Sequence, residues 1–471
     1  MSFAGIRATI ASWAAGLPAR HGGRWTLFAL AAIVALGFGL RLYKATHPTA
    51  NPGADSIVAY QGNDEVAYQE IAKALYRDGH YGTPEMAHPT DWSPGAPFVH
   101  ASVYYATGGV HPDAARGFVA LLGAIMVLLV YLLARRLAGV YAGLGAALLA
   151  AIYPTFIDNA GQYVSEPIAA FTLCGAVLSF LWASDPGRSL WAWAVPGLLL
   201  GATALTRPEY LMFGAVFALL ALLRVTRSRQ LKLGVAAAAL VAVSFALVLI
   251  PWTARNYVVL DKFVPVTTGG GKALFVATYY PGDGRQLPTK RKLIEQFTGE
   301  SSVSDMQVAN TQMSDLLDRV ASRYPNLDRD AALARIGREN FRKYFSEHPV
   351  GYTEMVLHKM WNVWRRGSGP TMRAPGWIAF HYSILALAIV GLAVLAWRRR
   401  WEALVIGVLI AGITVLGGLL LAVPRRNVPL MPIVLALAAA GASYIWIAAA
   451  GWIAERRSPK RARVHVASGS G

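Results

Sequence analysis

Long apolar runs, joined on one side by short arginine-rich loops, constrain this chain more than any other feature. Leu27–Leu40, Phe118–Leu133, Leu233–Ile250, Ile378–Ala396 and Val428–Ala449 are such runs, and several come close to the ~20 residues a helix needs to cross a bilayer. Backbone groups in hydrocarbon must satisfy one another, so these runs fold as packed helices. Charged residues make up 15% of the chain, below the roughly 25% of soluble chains. The formal charge of +18 raises nucleic acid as a partner. The placement of that charge argues against it. Arg135-Arg136, the stretch Arg224 to Lys232, Arg398-Arg399-Arg400 and the tail from Arg456 recur in short loops of one side, which is the positive-inside pattern. The partner implied is the lipid bilayer, and no nucleic acid is expected.

Arg7, Arg20 and Arg24, with no nearby acid, place the N-terminus in the cytoplasm. From there the runs alternate through about ten spans, near 27–40, 116–134, 140–157, 167–183, 190–205, 210–223, 233–250, 378–396, 402–423 and 428–449. Phe98–Thr107 is apolar enough to re-enter the membrane. The first run lies far from Met1, has no small-residue cleavage site after it and leads into Arg41 and Lys44, so it reads as a retained span rather than a signal peptide. The expected organisation is a transmembrane module at 1–250 with an outer loop at 44–115. An outer-face domain at 251–377, closing helices at 378–454 and a basic, unstructured tail at 455–471 follow. Asp64 to Arg77 has helical spacing, as do 305–347 and Pro349–Trp364, whereas Phe263–Thr268 reads as β. The fold class is therefore an all-α polytopic membrane protein of about ten or more transmembrane helices, with a small mixed α/β domain on the outer face. Cys174, the single cysteine, sits in an apolar run and reads as a packing residue.

Several polar groups stand where the charge bias does not want them. Arg207, Arg255, Arg425 and Arg426 all follow outward-going spans. Guanidinium groups grip phosphate in a planar fork, so this set suits a lipid phosphate or pyrophosphate headgroup. Each can also snorkel or pair with a local carboxylate, as Arg207 can with Glu209. Asp64 and Glu65 open the amphipathic outer helix, where acids also favour the helix dipole. Their chemical reading is a carboxylate base that deprotonates an acceptor hydroxyl. A departing phosphate needs charge stabilisation more than a proton, so one acid and several arginines suffice. Glu166 opens a later span on the same side and would orient the acceptor or, with Asp64, hold a divalent metal such as Mg or Mn. His100 and His381 show no metal-ligand spacing. Trp92, Trp252, Trp361, Trp364 and Trp377 fit an interfacial aromatic belt. Gly269-Gly270-Gly271 lacks the residues of a phosphate loop.

One series of motifs runs through nearly the whole chain: Asn63-Asp64-Glu65, Gly79-His80-Tyr81, Trp92-Ser93-Pro94-Gly95, Ser165-Glu166-Pro167, Thr206-Arg207-Pro208-Glu209, Pro251-Trp252-Thr253-Ala254-Arg255-Asn256 and Arg425-Arg426-Asn427-Val428-Pro429. In order and spacing it resembles the GT-C class of integral-membrane glycosyltransferases, in the branch of protein O-mannosyltransferases and lipid A aminoarabinose (ArnT-like) transferases. The resemblance implies a catalytic Asp in the first outer loop, matching Asp64. It also implies donor-binding arginines at outer helix ends, matching Arg207, Arg255 and Arg425 or Arg426. The expected activity is inverting transfer of a monosaccharide from a polyprenyl-phosphate sugar to an envelope glycan, lipid or protein, on the periplasmic or extracellular side of a bacterial inner membrane. A lipid-linked sugar flippase and a transferase using a pyrophosphate-linked oligosaccharide stand as alternatives.

Overall fold

A computed structural model describes residues 23–48, 64–86, 88–227, 230–421 and 423–457. The expectations for Arg7, Arg20, Asn63, Arg229 and the tail beyond 457 fall outside these residues. Among the described residues every regular element is helical. The first half runs α1 (Arg24–Thr46), α2 (Asp64–Asp78), α3 (Gly95–Thr107), α4 (Pro112–Ala138), α5 (Val140–Ile152), the short α6 (Pro154–Asp158), α7 (Glu166–Ala183), α8 (Ala194–Thr206), α9 (Leu211–Thr226) and α10 (Leu231–Leu260). The segment that follows holds α11 (Gly270–Thr278), α12 (Gln286–Thr298), α13 (Asp305–Asn310), α14 (Met313–Ala321), α15 (Arg329–Glu347) and α16 (Pro349–Trp364). The chain closes with α17 (Pro375–Trp397), α18 (Trp401–Leu419) and α19 (Met431–Arg457).

Among the described residues eight helices are long and apolar enough to cross a membrane, and α5 with the turn after it makes a ninth as a pair bent by 50°. Leu190–Thr206, which contains α8, is apolar but shorter. Together they occupy the positions read from the sequence. In lipid, helices associate through close packing at small residues, and the bundle does so at α17 and α19. A Cβ on Gly391 would stand 2.2 Å from the Leu437 carbonyl, and one on Gly441 2.0 Å from that of Leu387. Cys174 is buried in the main core, as a packing residue would be. The Phe98–Thr107 stretch lies in α3, packed among Tyr68 and Ala72 of α2, Ala115 of α4 and Ile168 of α7.

Arg41 departs from expectation. Rather than marking an exit to water, it lies within α1 and is 1% exposed. Its Nη2 donates to the Ala150 carbonyl at 2.7 Å, and its Nη1 to those of Ala151 at 3.1 Å and Gly37 at 2.8 Å. Ala150 and Ala151 lie in the last turn of α5, which Pro154 keeps from continuing. The last carbonyls of a broken helix have no internal partners and carry the negative end of its dipole. Arg41 answers both needs and holds the bend.

The segment expected on the outer face also differs from expectation: it is helical rather than mixed α/β. Phe263–Thr268 is not a strand, because side chains of α10 take its carbonyls. Trp252 Nε1 donates to Val266 O at 2.7 Å, Thr253 Oγ1 to Pro265 O at 3.1 Å and Asn256 Nδ2 to Val264 O at 3.0 Å. The Thr268 N–H goes to Thr90 O at 3.1 Å. A ladder consumed by side chains cannot pair with a second strand. The helices instead close over a core that includes Phe275, Leu293, Leu317, Leu333 and Ile336.

At the arginine-rich end of the bundle, Arg136 of α4 grips Asp185 at 2.8 and 2.6 Å and reaches Glu402 of α18 at 3.3 Å. Arg400 closes on the same Glu402 at 2.8 Å.

Candidate functional site

The candidate site lies at the opposite end. Asp64 is the first residue of α2, and Tyr68 stands one turn further on the same face. The Tyr68 hydroxyl shares a 3.2 Å hydrogen bond with Ser93 Oγ, which donates to Thr206 O at 2.6 Å. Gly95 permits this approach, since a Cβ there would lie 2.4 Å from Thr206 Oγ1. The first outer loop is thereby stapled to the end of α8. Pro208 disfavours helix at the residue before it, so Arg207 is extended and its side chain turns into the bundle mouth.

From Arg207 a chain of alternating charge runs both ways. Its Nη1 meets Glu166 at 2.9 Å, and its Nε meets Glu209 at 2.9 Å. Glu166, at the start of α7, is buried with its side chain 3% exposed, and it also faces Arg425 Nε at 3.8 Å. Arg425 projects from the turn Pro424–Leu430 and forms an ion pair with Asp64. The order is Asp64, Arg425, Glu166, Arg207, Glu209. Asp64 is the open end, its side chain 32% exposed. Burial acts to raise its carboxyl, but the charge and hydrogen bond of Arg425, with Lys272 and Arg207, outweigh burial and hold it below the usual value. The carboxylate is therefore ionised at neutral pH. Burial foremost, then the charge on Asp64, pushes the Tyr68 phenol up to about 12, so it stays a hydrogen-bond donor.

Sequence reasoning named Asp64, Glu65, Glu166, Arg207, Arg255, Arg425 and Arg426. The structure brings Asp64, Glu166, Arg207 and Arg425 into one chain. Glu65 follows Asp64 in the first turn of α2. Arg255 takes no part in the ion pairs. Its guanidinium lies over the rings of Trp252 at 4.9 Å and Tyr81 at 5.5 Å and donates to Asn256 Oδ1 at 3.1 Å. Arg426 faces Glu209 and Tyr210 instead of Asp64, and its Nη1 is buried without a partner. Glu209 is a full member of the chain and Lys272 an electrostatic neighbour of Asp64, and neither was named as a site residue. The Arg207-Pro208-Glu209 spacing was the signal for the first. His381 is structural, bonded to the Tyr153 hydroxyl at 2.8 Å and to Trp364 O at 2.9 Å. Trp252 and Trp364 are tied inward rather than to an interface, Trp364 Nε1 donating to Thr414 Oγ1 at 2.9 Å. No group of three or more His, Cys, Asp or Glu with metal-binding geometry occurs among the described residues. Asp64 and Glu166, read together as a metal-holding pair, instead share Arg425.

Ten apolar positions, a helical segment at 270–364 and a chain of ion pairs at one end of the bundle make up the GT-C type of membrane fold. The resemblance read from the motifs holds in direct comparison. Residues 88–252, about a third of the chain, match the family described as dolichyl-phosphate-mannose-protein mannosyltransferase. The archaeal oligosaccharyltransferase AglB from Archaeoglobus fulgidus, solved with an inhibitory peptide and a dolichol-phosphate, shares the fold at 15% identity and a TM-score of 0.54. The alignment covers 92% of this chain and 52% of AglB, so the chain spans about half of that protein's length. The apo form of the same enzyme gives a TM-score of 0.54 at 15% identity, over 93% of this chain and 52% of that one. ArnT from Cupriavidus metallidurans bound to undecaprenyl phosphate aligns over 90% of this chain and 78% of its own, at 14% identity and a TM-score of 0.36. No curated protein sequence matches the chain.

Proposed function

We propose that this protein transfers a glycosyl group from a polyprenyl-phosphate-linked sugar to a hydroxyl of an envelope glycan, lipid or protein, with inversion. One observation carries the reading: an ionised, partly exposed carboxylate, Asp64, pairs with the half-buried guanidinium of Arg425 and, through Glu166, leads to the buried guanidinium of Arg207 at one end of a membrane bundle. Asp64 takes the acceptor hydroxyl proton. The acceptor oxygen forms its bond to the anomeric carbon as the carbon–oxygen bond to phosphate breaks, and the phosphate leaves with the electron pair. Cations at this face, drawn from Arg207, Arg255, Arg425 and Arg426, stabilise the charge that develops. Glu166 is a positioning residue, since it holds Arg207 and Arg425 on either side. The arginine-rich loops at the far end favour a site on the outer, periplasmic side of a bacterial plasma membrane. The match at residues 88–252 to a family that uses dolichyl-phosphate mannose supports a monophosphate donor. The fold shared with an oligosaccharyltransferase supports a second reading, transfer of an oligosaccharide from a lipid carrier.

The test is release of free polyprenyl phosphate, followed by mass spectrometry, from a panel of polyprenyl-phosphate sugars incubated with the purified protein. Release with one preferred sugar is expected. No release from folded protein with any monophosphate donor, together with turnover of a pyrophosphate-linked donor, would establish the second reading. Lipid crossing in liposomes without release would mark a flippase.

A further inference from the structure

Arg425 and Arg426 are consecutive, yet their charges serve opposite sides. Arg425 belongs to Asp64 and Glu166. Arg426 faces Glu209 and Tyr210, and across the turn it acts on Lys359 of α16. Lys359 is 2% exposed, and its ammonium donates to the Ala277 carbonyl at 2.9 Å. Among the described residues no carboxylate lies within ion-pair distance of it. Burial first, and the charge of Arg426 second, push this amine down to about 7, with Asp283 opposing. Asn362 lies on the same buried face of α16, and the adjacent Asn427 ties the two elements by donating to Val363 O at 2.8 Å and Arg366 O at 2.9 Å. Around this junction Arg426 Nη1, Asn362 Oδ1, Asn427 Oδ1 and the Tyr210 hydroxyl are all buried without partners. Buried polar atoms are rarely left unmade, and so many at one junction indicate groups waiting for a ligand.

The types of atom define that ligand. Lys359 has no carboxylate of its own, and Arg426, which shares Glu209 with Arg207, keeps one nitrogen without a partner; together they call for an anion, and neighbouring amide oxygens call for hydroxyl donors. Both requirements are met by a phosphate carrying a sugar. Resting on the donor reading above, we propose that Lys359 and Arg426 hold the donor's phosphate, and that Asn362 and Asn427 accept hydroxyls beside it. The reaction's geometry agrees. In an inverting displacement the attacking and leaving oxygens lie on opposite sides of the anomeric carbon. Arg425 serves the base, and Arg426 the leaving group. Departure converts a phosphodiester monoanion into a monoester that bears a second negative charge. A lysine titrating near neutrality gains its proton as that charge arrives.

The experiment is binding of undecaprenyl monophosphate to the purified full-length protein by native mass spectrometry, with Lys359→Gln and Lys359→Arg beside the wild type. Glutamine keeps a donor for Ala277 but removes the charge. Binding at least tenfold weaker in Lys359→Gln, and within threefold of wild type in Lys359→Arg, is the expected result. Equal binding by wild type and Lys359→Gln overturns the assignment of Lys359 while leaving the transferase reading intact. Absence of binding by the wild type overturns the donor reading itself. Inorganic phosphate is run as a competitor. Full displacement of the lipid by millimolar inorganic phosphate would assign the pocket to free phosphate and overturn the lipid assignment.

Discussion

Both ends of the bundle carry linked ion pairs, and the two are built to different purposes. At the arginine-rich end, Arg136 spans Asp185 and Glu402, and Arg400 closes on Glu402, so each carboxylate has its cation. At the other end the chain stays open. Its middle members, Glu166 and Arg207, are buried, Asp64 reaches solvent, and beyond Glu209 stands Arg426 with a buried nitrogen unpaired. A closed set of ion pairs can only fasten helices together. An open set can take a proton at one end and an anion at the other.

Substitutions at the two ends test this contrast. The largest effect expected is from Asp64→Asn, which lowers turnover by about 10²- to 10⁴-fold, the usual worth of a general base, with the unfolding temperature little changed. Normal turnover in the folded variant removes Asp64 as the base. Next, Glu166→Gln withdraws a buried charge shared by two guanidinium groups and costs about 3 kcal/mol of stability, with a loss of turnover as well. Thermal unfolding in detergent and the release assay read the two effects. Arg136→Met leaves the partly exposed Asp185 alone, costs about 1 kcal/mol and leaves turnover intact. A drop in turnover as deep as that of Glu166→Gln would end the distinction between the ends.

A smaller effect separates two carboxyl groups by pH. Asp64 is held below its unfolded value, so its contribution to stability is complete above about pH 4 and is lost only as pH falls through the lower, folded value. Its titration should leave turnover level between pH 7 and 5. Asp330 behaves in the opposite sense. Burial foremost, with the charges of Asp91 and Asp328, pushes its carboxyl up to about 6 against the N–H groups of Gly271 and Lys272. Its contribution is complete below the unfolded value and is lost as pH rises through about 6. Unfolding temperatures taken from pH 7 to 5 should therefore rise through Asp330, and Asp330→Asn should flatten that slope.

The spans were legible in the sequence because apolar length leaves a chain in lipid little choice. Asp64, Glu166, Arg207 and Arg425 were legible for the converse reason: each is a polar residue at an apolar boundary. What the sequence hid was direction and depth. Arg425 and Arg426 look equivalent in a string, and only the turn Pro424–Leu430 sends them to different partners. Lys359 reads as the polar side of a surface helix, yet it lies buried against Ala277 and Gly284. Val264, Val266, Thr267 and Thr268 have strand character. The donors that captured this stretch, Trp252, Thr253 and Asn256, lie on a neighbouring helix whose proximity no local pattern announces.

Arg41 bears on how the chain is made. Its acceptors at the end of α5 lie about 110 residues downstream. At the roughly 5–20 residues per second of synthesis, α1 waits many seconds for them. An unpartnered arginine within a span costs up to about 2.5–3.5 kcal/mol on insertion scales, a cost that the α5 carbonyls relieve once they are present. The bend that Arg41 holds is therefore sealed only after α5 has been made.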